Sequence, residues 1–314
     1  MGNSLFDDGR SCRLIHADAI AGMRTIPDDT VDCIVTSPPY WGLRAYTHGE
    51  SNDEIGVEPL LPDYVRNMRA VFHECMRILK PSGILWLNIG DGYTSGGRKT
   101  QVPDSASVNN NNARGKNSRR PDTPAGLKKK DMLGVPWRVA FALQDDGWYL
   151  RADVIWRKPN YMPVGHLYDR PQMDYEHVFM LTKNEYYDYN IESGYELKAD
   201  GTGMRQGRSI WDIPTDSRKT GHPAAMPIAL ADKCVRLSLK PRNDADDASI
   251  DNTDNNEDNG FIVFDPFTGS GTTAVAALTN DADFIGTELS DDFIQIAFHR
   301  ILNDIGVRSE IMEA

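Results

Sequence analysis

Apolar and polar positions along the chain fall into short blocks of two different periods. RLIHADAI (13–20) and VDCIVTSPPY (31–40) each read as a short strand running into a loop, with a spacer long enough for a turn or two of helix. Over Leu61 to Leu79 the period lengthens. Val65, Met68, Val71, Phe72, Cys75, Met76 and Leu79 recur at three- and four-residue steps, which predicts one buried helix face. Pro81, Ser82 and Gly83 are expected to stop that helix, and ILWLNIGD (84–91) to follow as a buried strand. LGVPWRVAFALQDDG (133–147) predicts a helix ending near Gly147, WYLRADVIWRK and HVFMLTK predict neighbouring strands, and PIALADKCVRLSL (227–239) predicts another helix. FIVFDPF, TTAVAALTN, DFIGTELS and DDFIQIAFHRIL then alternate strand, helix, strand, helix. There is no internal repeat. Strands alternating with helices imply an α/β fold, a largely parallel sheet covered on both faces.

Three stretches carry no such pattern. Residues 92–130 are Gly, Ser, Asn and basic, which reads as a mobile loop, and a loop of that length in a compact domain is commonly functional. Residues 184–221 are mixed, and the acidic, Asn-rich 241–259 reads as a solvated loop.

With 314 residues, 40% of them hydrophobic, the chain can bury a substantial core as one α/β domain with insertions. No apolar run is long enough to span a bilayer, and the first residues lack the basic and apolar segments of a secretory signal. MGNSLF fails the myristoylation pattern at Phe6. The chain therefore reads as intracellular. Cys12, Cys33, Cys75 and Cys234 are scattered singly without ligand spacing, so no metal site is expected. A net charge of −12 runs against nucleic-acid binding, yet its distribution matters more than its sum. Acid is concentrated in 244–258, whereas Arg114, Lys116, Arg119, Arg120, Lys128, Lys129 and Lys130 form a basic stretch.

Two constellations carry chemistry. In FIVFDPFTGSGTTAVAAL a strand runs directly into Gly269, Ser270 and Gly271, and a helix opens at about Thr272. Glycines allow a ligand close to the backbone, and the helix start offers unpaired N–H groups. A second strand ends at Glu288, where a dinucleotide fold places the carboxylate that holds two ribose hydroxyls. Asp265, Pro266 and Phe267 stand in front of the loop. A carboxylate there would repel a pyrophosphate but suit the cationic amino-acid end of S-adenosylmethionine. The second constellation is Thr36-Ser37-Pro38-Pro39-Tyr40-Trp41. Two prolines stiffen the turn and remove two N–H donors, so Ser37 and the Pro38 carbonyl can grip an NH₂ group while Tyr40 stacks on a planar ring. A ligand-free βα turn and a rigid Pro-Pro loop with a core tyrosine are the plain readings of the same residues.

Together, TSPPYW and DPFTGSGTT resemble the motifs of amino-methylating DNA methyltransferases in the circularly permuted order of the β class, in which the cofactor loop comes last. HADAI, PSGILWLNIGD, VIWRKPN and GHPAAMP extend the resemblance over nearly the whole chain. It implies a Rossmann-like, seven-stranded, mostly parallel sheet. Residues 1–183 would be the catalytic half, 184–221 the candidate target-recognition segment and 222–314 the half that binds S-adenosylmethionine. It places Thr36 and Asp18 beside the cofactor, with Asp18 accepting from the adenine N6 amine; a helix N-cap is the rival role for Asp18. Asp153 and Glu176 are read as solvated or paired carboxylates.

The implied reaction is direct in-line methyl transfer to an exocyclic base amine flipped out of duplex DNA, with no metal and no covalent enzyme–base bond. C5-cytosine methylation needs a cysteine nucleophile, and none adjoins the turn. In the family, Ser before Pro-Pro-Tyr goes with cytosine N4, and Asp or Asn with adenine N6, which remains the alternative. Trp41 is expected behind Tyr40 or at the pocket entrance. The basic residues of 98–130, with Arg205, Arg208, Arg218 and Lys219, are candidates for phosphate contacts. An RNA or protein-amide methyltransferase and a non-catalytic DNA-binding module are the further alternatives. The expected setting is cytoplasmic, in a prokaryote or virus, as monomer or homodimer, with a cognate restriction endonuclease as a candidate partner.

Overall fold

The structure, a computed structural model, describes residues 10–42, 54–94, 123, 126–163, 169–216, 226–240, 260–307 and 309–314. Arg114, Lys116, Arg119, Arg120, Arg218, Lys219, the acidic stretch 241–259 and most of GHPAAMP lie outside the described residues. In chain order the elements are β1 (Cys12–His16), α1 (Ala19–Met23), β2 (Val31–Thr36), α2 (Leu61–Ile78), β3 (Leu79–Ile89), α3 (Val135–Asp145), β4 (Tyr149–Arg157) and β5 (Tyr175–Thr182). They continue with β6 (Glu196–Leu197), β7 (Met204–Arg205), β8 (Ile210–Asp212), α4 (Ile228–Ser238), β9 (Ile262–Asp265), α5 (Thr272–Thr279), β10 (Asp283–Glu288), α6 (Asp291–Ile305) and β11 (Glu310–Glu313).

The main sheet has the order β11-β1-β10-β9-β2-β3-β5-β4-β8, and β6 pairs with β7 in a separate hairpin. Neighbours are parallel except where β5 runs antiparallel between β3 and β4. The seven expected strands are therefore present, but the short edges β11 and β8 extend the sheet to nine. All parallel strands end at one side of the sheet, and the antiparallel β5 begins there. That single edge collects the loops after β1, β2, β3, β4, β9 and β10.

Alternate residues of each strand feed opposite faces. Cys33, Val35, Trp86 and Val263 join the core under α4, α5 and α6, while Ile34, Leu85, Leu87 and Phe264 join the core under α1, α2 and α3. The near-continuous apolar strands follow from burial on both faces.

One expectation needs correction. The helix predicted to reach Leu79 ends at Ile78; Leu79 is already extended (φ −73°, ψ 133°), so Pro81, Ser82 and Gly83 lie inside the irregular start of β3. A residue just before proline disfavours the helical region, which stops the helix early. The buried face includes Tyr64 and Ile78, whereas Val65 and Met76 are only half-buried. Part of the mixed segment 184–221 joins the core. Trp211, on β8, is buried 5.7 Å from Trp86, and Ile213 enters the same core. A three-residue strand is too short to show a period.

Phe264 is wholly buried on the central strand β9. A Phe264→Ala substitution is expected to cost about 3–5 kcal/mol, read as a lower midpoint in urea unfolding.

Candidate active site

β2 and β9 are parallel neighbours, with Ile34 opposite Phe264, so the turn after one and the loop after the other open side by side. Thr36 Oγ1 donates to Asp265 Oδ1 at 2.7 Å. Asp265 is only 4% exposed and accepts two further hydrogen bonds, from Phe267 N (2.9 Å) and Thr273 Oγ1 (2.7 Å). Burial raises its carboxyl to about 6 against the pull of these donors. Asp265 thereby binds the two loops to each other. Thr36 likewise acts through Asp265.

In the glycine loop, Gly269 and Gly271 adopt left-handed backbone (φ +53° and +77°), and a Cβ at Gly271 would lie 3.2 Å from Ala297 Cβ on α6. Gly269 N donates to Glu288 Oε2 and Ser290 N to Glu288 Oε1, both at 2.8 Å. Burial raises the Glu288 carboxyl, opposed by those N–H groups. Each oxygen takes one donor from this set and has further lone-pair capacity for a ribose hydroxyl. Ser270 and Thr272 are buried, and their hydroxyls contact Arg300 Nη1 at 3.1 and 3.0 Å. Through these hydroxyls Arg300 braces the loop from behind. Pro266 is buried and Phe267 half-buried beside them. Asp18 caps α1, its Oδ1 accepting from Ile20 N and Ala21 N at 3.0 Å, so the N-cap role is the one occupied. A glycine loop in left-handed backbone, a start of α5 at Gly271 with no side-chain cap among the described residues, and a carboxylate at Glu288 held by two backbone N–H groups fit an adenosyl cofactor.

The Ser-Pro-Pro-Tyr turn is held from below. Tyr64 Oη donates to the Pro39 carbonyl at 2.9 Å, and among the described residues nothing hydrogen-bonds to the Pro38 carbonyl. Trp41 is 3% exposed and donates Nε1–H to the Glu58 carbonyl at 2.8 Å. It is a core side chain behind the turn, unavailable to nucleic acid at the entrance. Gly90, after β3, lies under Tyr40, where a Cβ would come within 2.8 Å of Tyr40 Cε2.

Three side chains that the sequence did not single out as functional complete the cluster. Tyr40 Oη donates to Glu176 Oε2 at 2.6 Å, Asn88 Nδ2 lies 3.0–3.2 Å from Glu176, Tyr40 and Ser37, and Lys158 Nζ meets Glu176 Oε1 at 2.5 Å. Burial, then the charge of Glu176 and the hydrogen bond to it, push the Tyr40 phenol well above its ordinary value. Glu176 is paired, as expected, but inside the site. Asp153 is paired away from this cluster, with His177 at 2.8 Å. No period or spacing marks Glu176; only the antiparallel register of β5 brings it beside Gly90.

The described end of the basic stretch is anchored nearby. Thr94 N donates to Asp131 O and Thr94 Oγ1 to Lys128 O. Lys128, Lys129 and Lys130 are exposed; Lys128 pairs with Asp131 and Lys130 with Asp169. Such exposed pairs are weak. Arg205 pairs loosely with Glu196, and Arg208 is exposed.

The family model described as DNA methylase matches residues 31–299. The Type II methyltransferase M.XycI of Xanthomonas campestris pv. cyanopsidis is 42% identical over 292 residues, covering 93% of this chain and 88% of that protein. Among solved structures, TTHA0409 of Thermus thermophilus, complexed with S-adenosyl-L-methionine, superposes with a TM-score of 0.63 at 22% identity, over 96% of this chain and 98% of that one. PvuII DNA methyltransferase (cytosine-N4-specific) gives 0.60 at 17%, over 97% and 98%. At those identities the two structures show the fold.

Asp265 also makes stability depend on pH. Its carboxyl, raised from 3.8 to about 6, favours the folded state when protonated. Its contribution is full below pH 3.8 and is lost as pH rises through about 6, by roughly 3 kcal/mol. In an Asp265→Asn protein that part of the slope should vanish from the pH dependence of the unfolding midpoint.

Proposed function

The chain belongs to the N6/N4 DNA methylase family, and from that premise we propose that it methylates cytosine N4 in duplex DNA, using S-adenosylmethionine and a flipped-out base. The observation that carries this reading is the buried Thr36–Asp265 hydrogen bond, which puts the Ser-Pro-Pro-Tyr turn and the glycine loop at one cleft. Gly269, Gly271 and Glu288 would hold the cofactor, with Phe267 and Asp18 at its flanks. The cofactor supplies a methyl group on a sulfonium, an already activated leaving group.

What the protein adds is geometry. An amine conjugated to a base ring is a poor nucleophile, because its lone pair is delocalised. Ser37 Oγ and the Pro38 carbonyl accept its two hydrogens and aim the lone pair, while Tyr40 stacks on the ring. Holding both partners in line supplies much of the acceleration. The serine at position 37 supports cytosine N4 over adenine N6, following the family pattern. The basic stretch 98–130, anchored beside the site at Thr94, would meet phosphate. Residues 1–183 would then serve catalysis and 222–314 the cofactor, with the free parts of 184–221 and 92–130 reading the DNA sequence. The name of M.XycI, a Type II methyltransferase, supports a restriction-modification setting with a cognate endonuclease, in the cytoplasm of a bacterial cell.

Incubation with labelled S-adenosylmethionine and duplex DNA, followed by mass spectrometry of the nucleosides, should yield N4-methylcytosine. N6-methyladenine in its place would overturn the choice of base, and transfer to RNA or protein in preference would overturn the substrate. A Ser37→Ala protein should retain cofactor binding and lose roughly 100-fold in single-turnover rate, the size expected for one preorganised polar contact.

A further inference from the structure

Behind the Ser-Pro-Pro-Tyr turn the hydrogens can be counted. Glu176, ionised, carries none, so the Tyr40 phenol donates to it across 2.6 Å. Asn88 Nδ2 donates only, and it faces Glu176 Oε2, Tyr40 Oη and Ser37 Oγ at 3.0, 3.1 and 3.2 Å. With the phenol hydrogen committed, the hydrogen left to lie along the 3.4 Å line between Ser37 Oγ and Tyr40 Oη is the serine's own. The hydroxyls thus point one way, serine to tyrosine to glutamate, and Ser37 keeps lone-pair capacity for the target amine. Asn88 enforces the direction at a cost. Its Oδ1 is buried without a hydrogen-bond partner, yet turning the amide would set an oxygen 3.0 Å from the carboxylate. Lys158, over the ring of Trp156, closes the chain at Glu176 Oε1.

Resting on the amino-methylation reading above, we propose that the surplus proton of the methylated amine leaves through Ser37 and Tyr40 to Glu176. The nitrogen–methyl bond forms as the carbon–sulfur bond breaks, both electrons of the latter going to sulfur, and the nitrogen is left with one proton too many. That proton moves to Ser37 Oγ, the serine proton to Tyr40 Oη, and the tyrosine proton to Glu176 Oε2. Both hydroxyls end neutral and Glu176 ends as a carboxylic acid, 15% exposed and able to return its proton to water. Glu176 acts through the two hydroxyls and is a positioning residue for them. Among the described residues, the titratable groups around it are Tyr40 from the β2 turn and Lys158 after β4, with Tyr64 of α2 behind Tyr40. His177, next on β5, points to the other face with Asp153.

The test is single-turnover methyl transfer to duplex DNA, with cofactor and DNA affinities measured separately. Glu176→Gln and Tyr40→Phe should each slow the chemical step by about 100-fold with affinities unchanged. The double variant should be no slower than the slower single one. In the ligand-free protein, carbon-13 NMR of labelled tyrosine should show the Tyr40 phenol ionising at lower pH once the Glu176 charge is gone. An undiminished rate in Glu176→Gln, additive losses, or a loss confined to affinity would overturn the relay alone. If Glu176→Gln does not fold, Tyr40→Phe decides, since it keeps the stacking ring and cannot pass a proton; a full rate there rejects the proposal. Failure of the unaltered chain to methylate DNA, while it binds S-adenosylmethionine, would overturn the functional reading and the relay with it.

Discussion

A hydroxyl and a carboxylate meeting at the ends of two adjacent parallel strands hold the site together. Thr36 and Asp265 are both buried, and the carboxylate is surrounded by three protein donors. Removing a charge from water is costly unless it is hydrogen-bonded, and the upward displacement of Asp265 shows that the donors offset only part of that cost. The remaining penalty is tolerated because the bonds are charge-assisted and directional. They set the spacing between a turn that would grip an amine and a loop that would hold the methyl donor. In-line transfer is sensitive to errors of about 1 Å, so a rigid polar tie is worth more here than an apolar contact of equal area.

The rest of the cleft extends the same logic outward. Tyr64 fixes the Pro39 carbonyl, Trp41 anchors the chain just after the turn, and Arg300 clamps the glycine loop from α6. Gly90 leaves room for the Tyr40 ring, and Glu176 fixes its hydroxyl. A stacking surface held at both ends is already in place when a base arrives, and less ordering entropy is then lost on binding.

How much of this was legible depended on whether the signal was local. The strands, the helix faces and the two loops were readable because period, proline and glycine act over a few residues. The meeting of the two motifs was inferred from resemblance and needed the parallel pairing of β2 with β9 to become geometry. The tie made by Asp265 was not legible because its neighbours in sequence are a proline and an aromatic, whereas its partners Thr36 and Thr273 lie 229 and 8 residues away. Trp41 was left between the back of the turn and the pocket entrance for the same reason: nothing local reveals that the Glu58 carbonyl takes its N–H. Glu176 and Lys158 were invisible as a pair because a strand reversal joins them, and register across a long connection leaves no mark in composition.

That dependence on strand ends, and not on chain order, explains how a permuted arrangement yields a single cleft. β1, from the start of the chain, lies between β10 and β11 from its end, with His16 opposite Glu288. In a parallel sheet every strand delivers its following loop to the same edge, so residues 18, 36–41, 88–91 and 265–271 converge whatever their sequence order. Changing the order alters which loops must be closed, and closure entropy grows only with the logarithm of loop length. The polar tie between neighbouring strand ends is lost at once if either strand is displaced. Selection on such a fold therefore acts on adjacency in the sheet and leaves the order of motifs free to change.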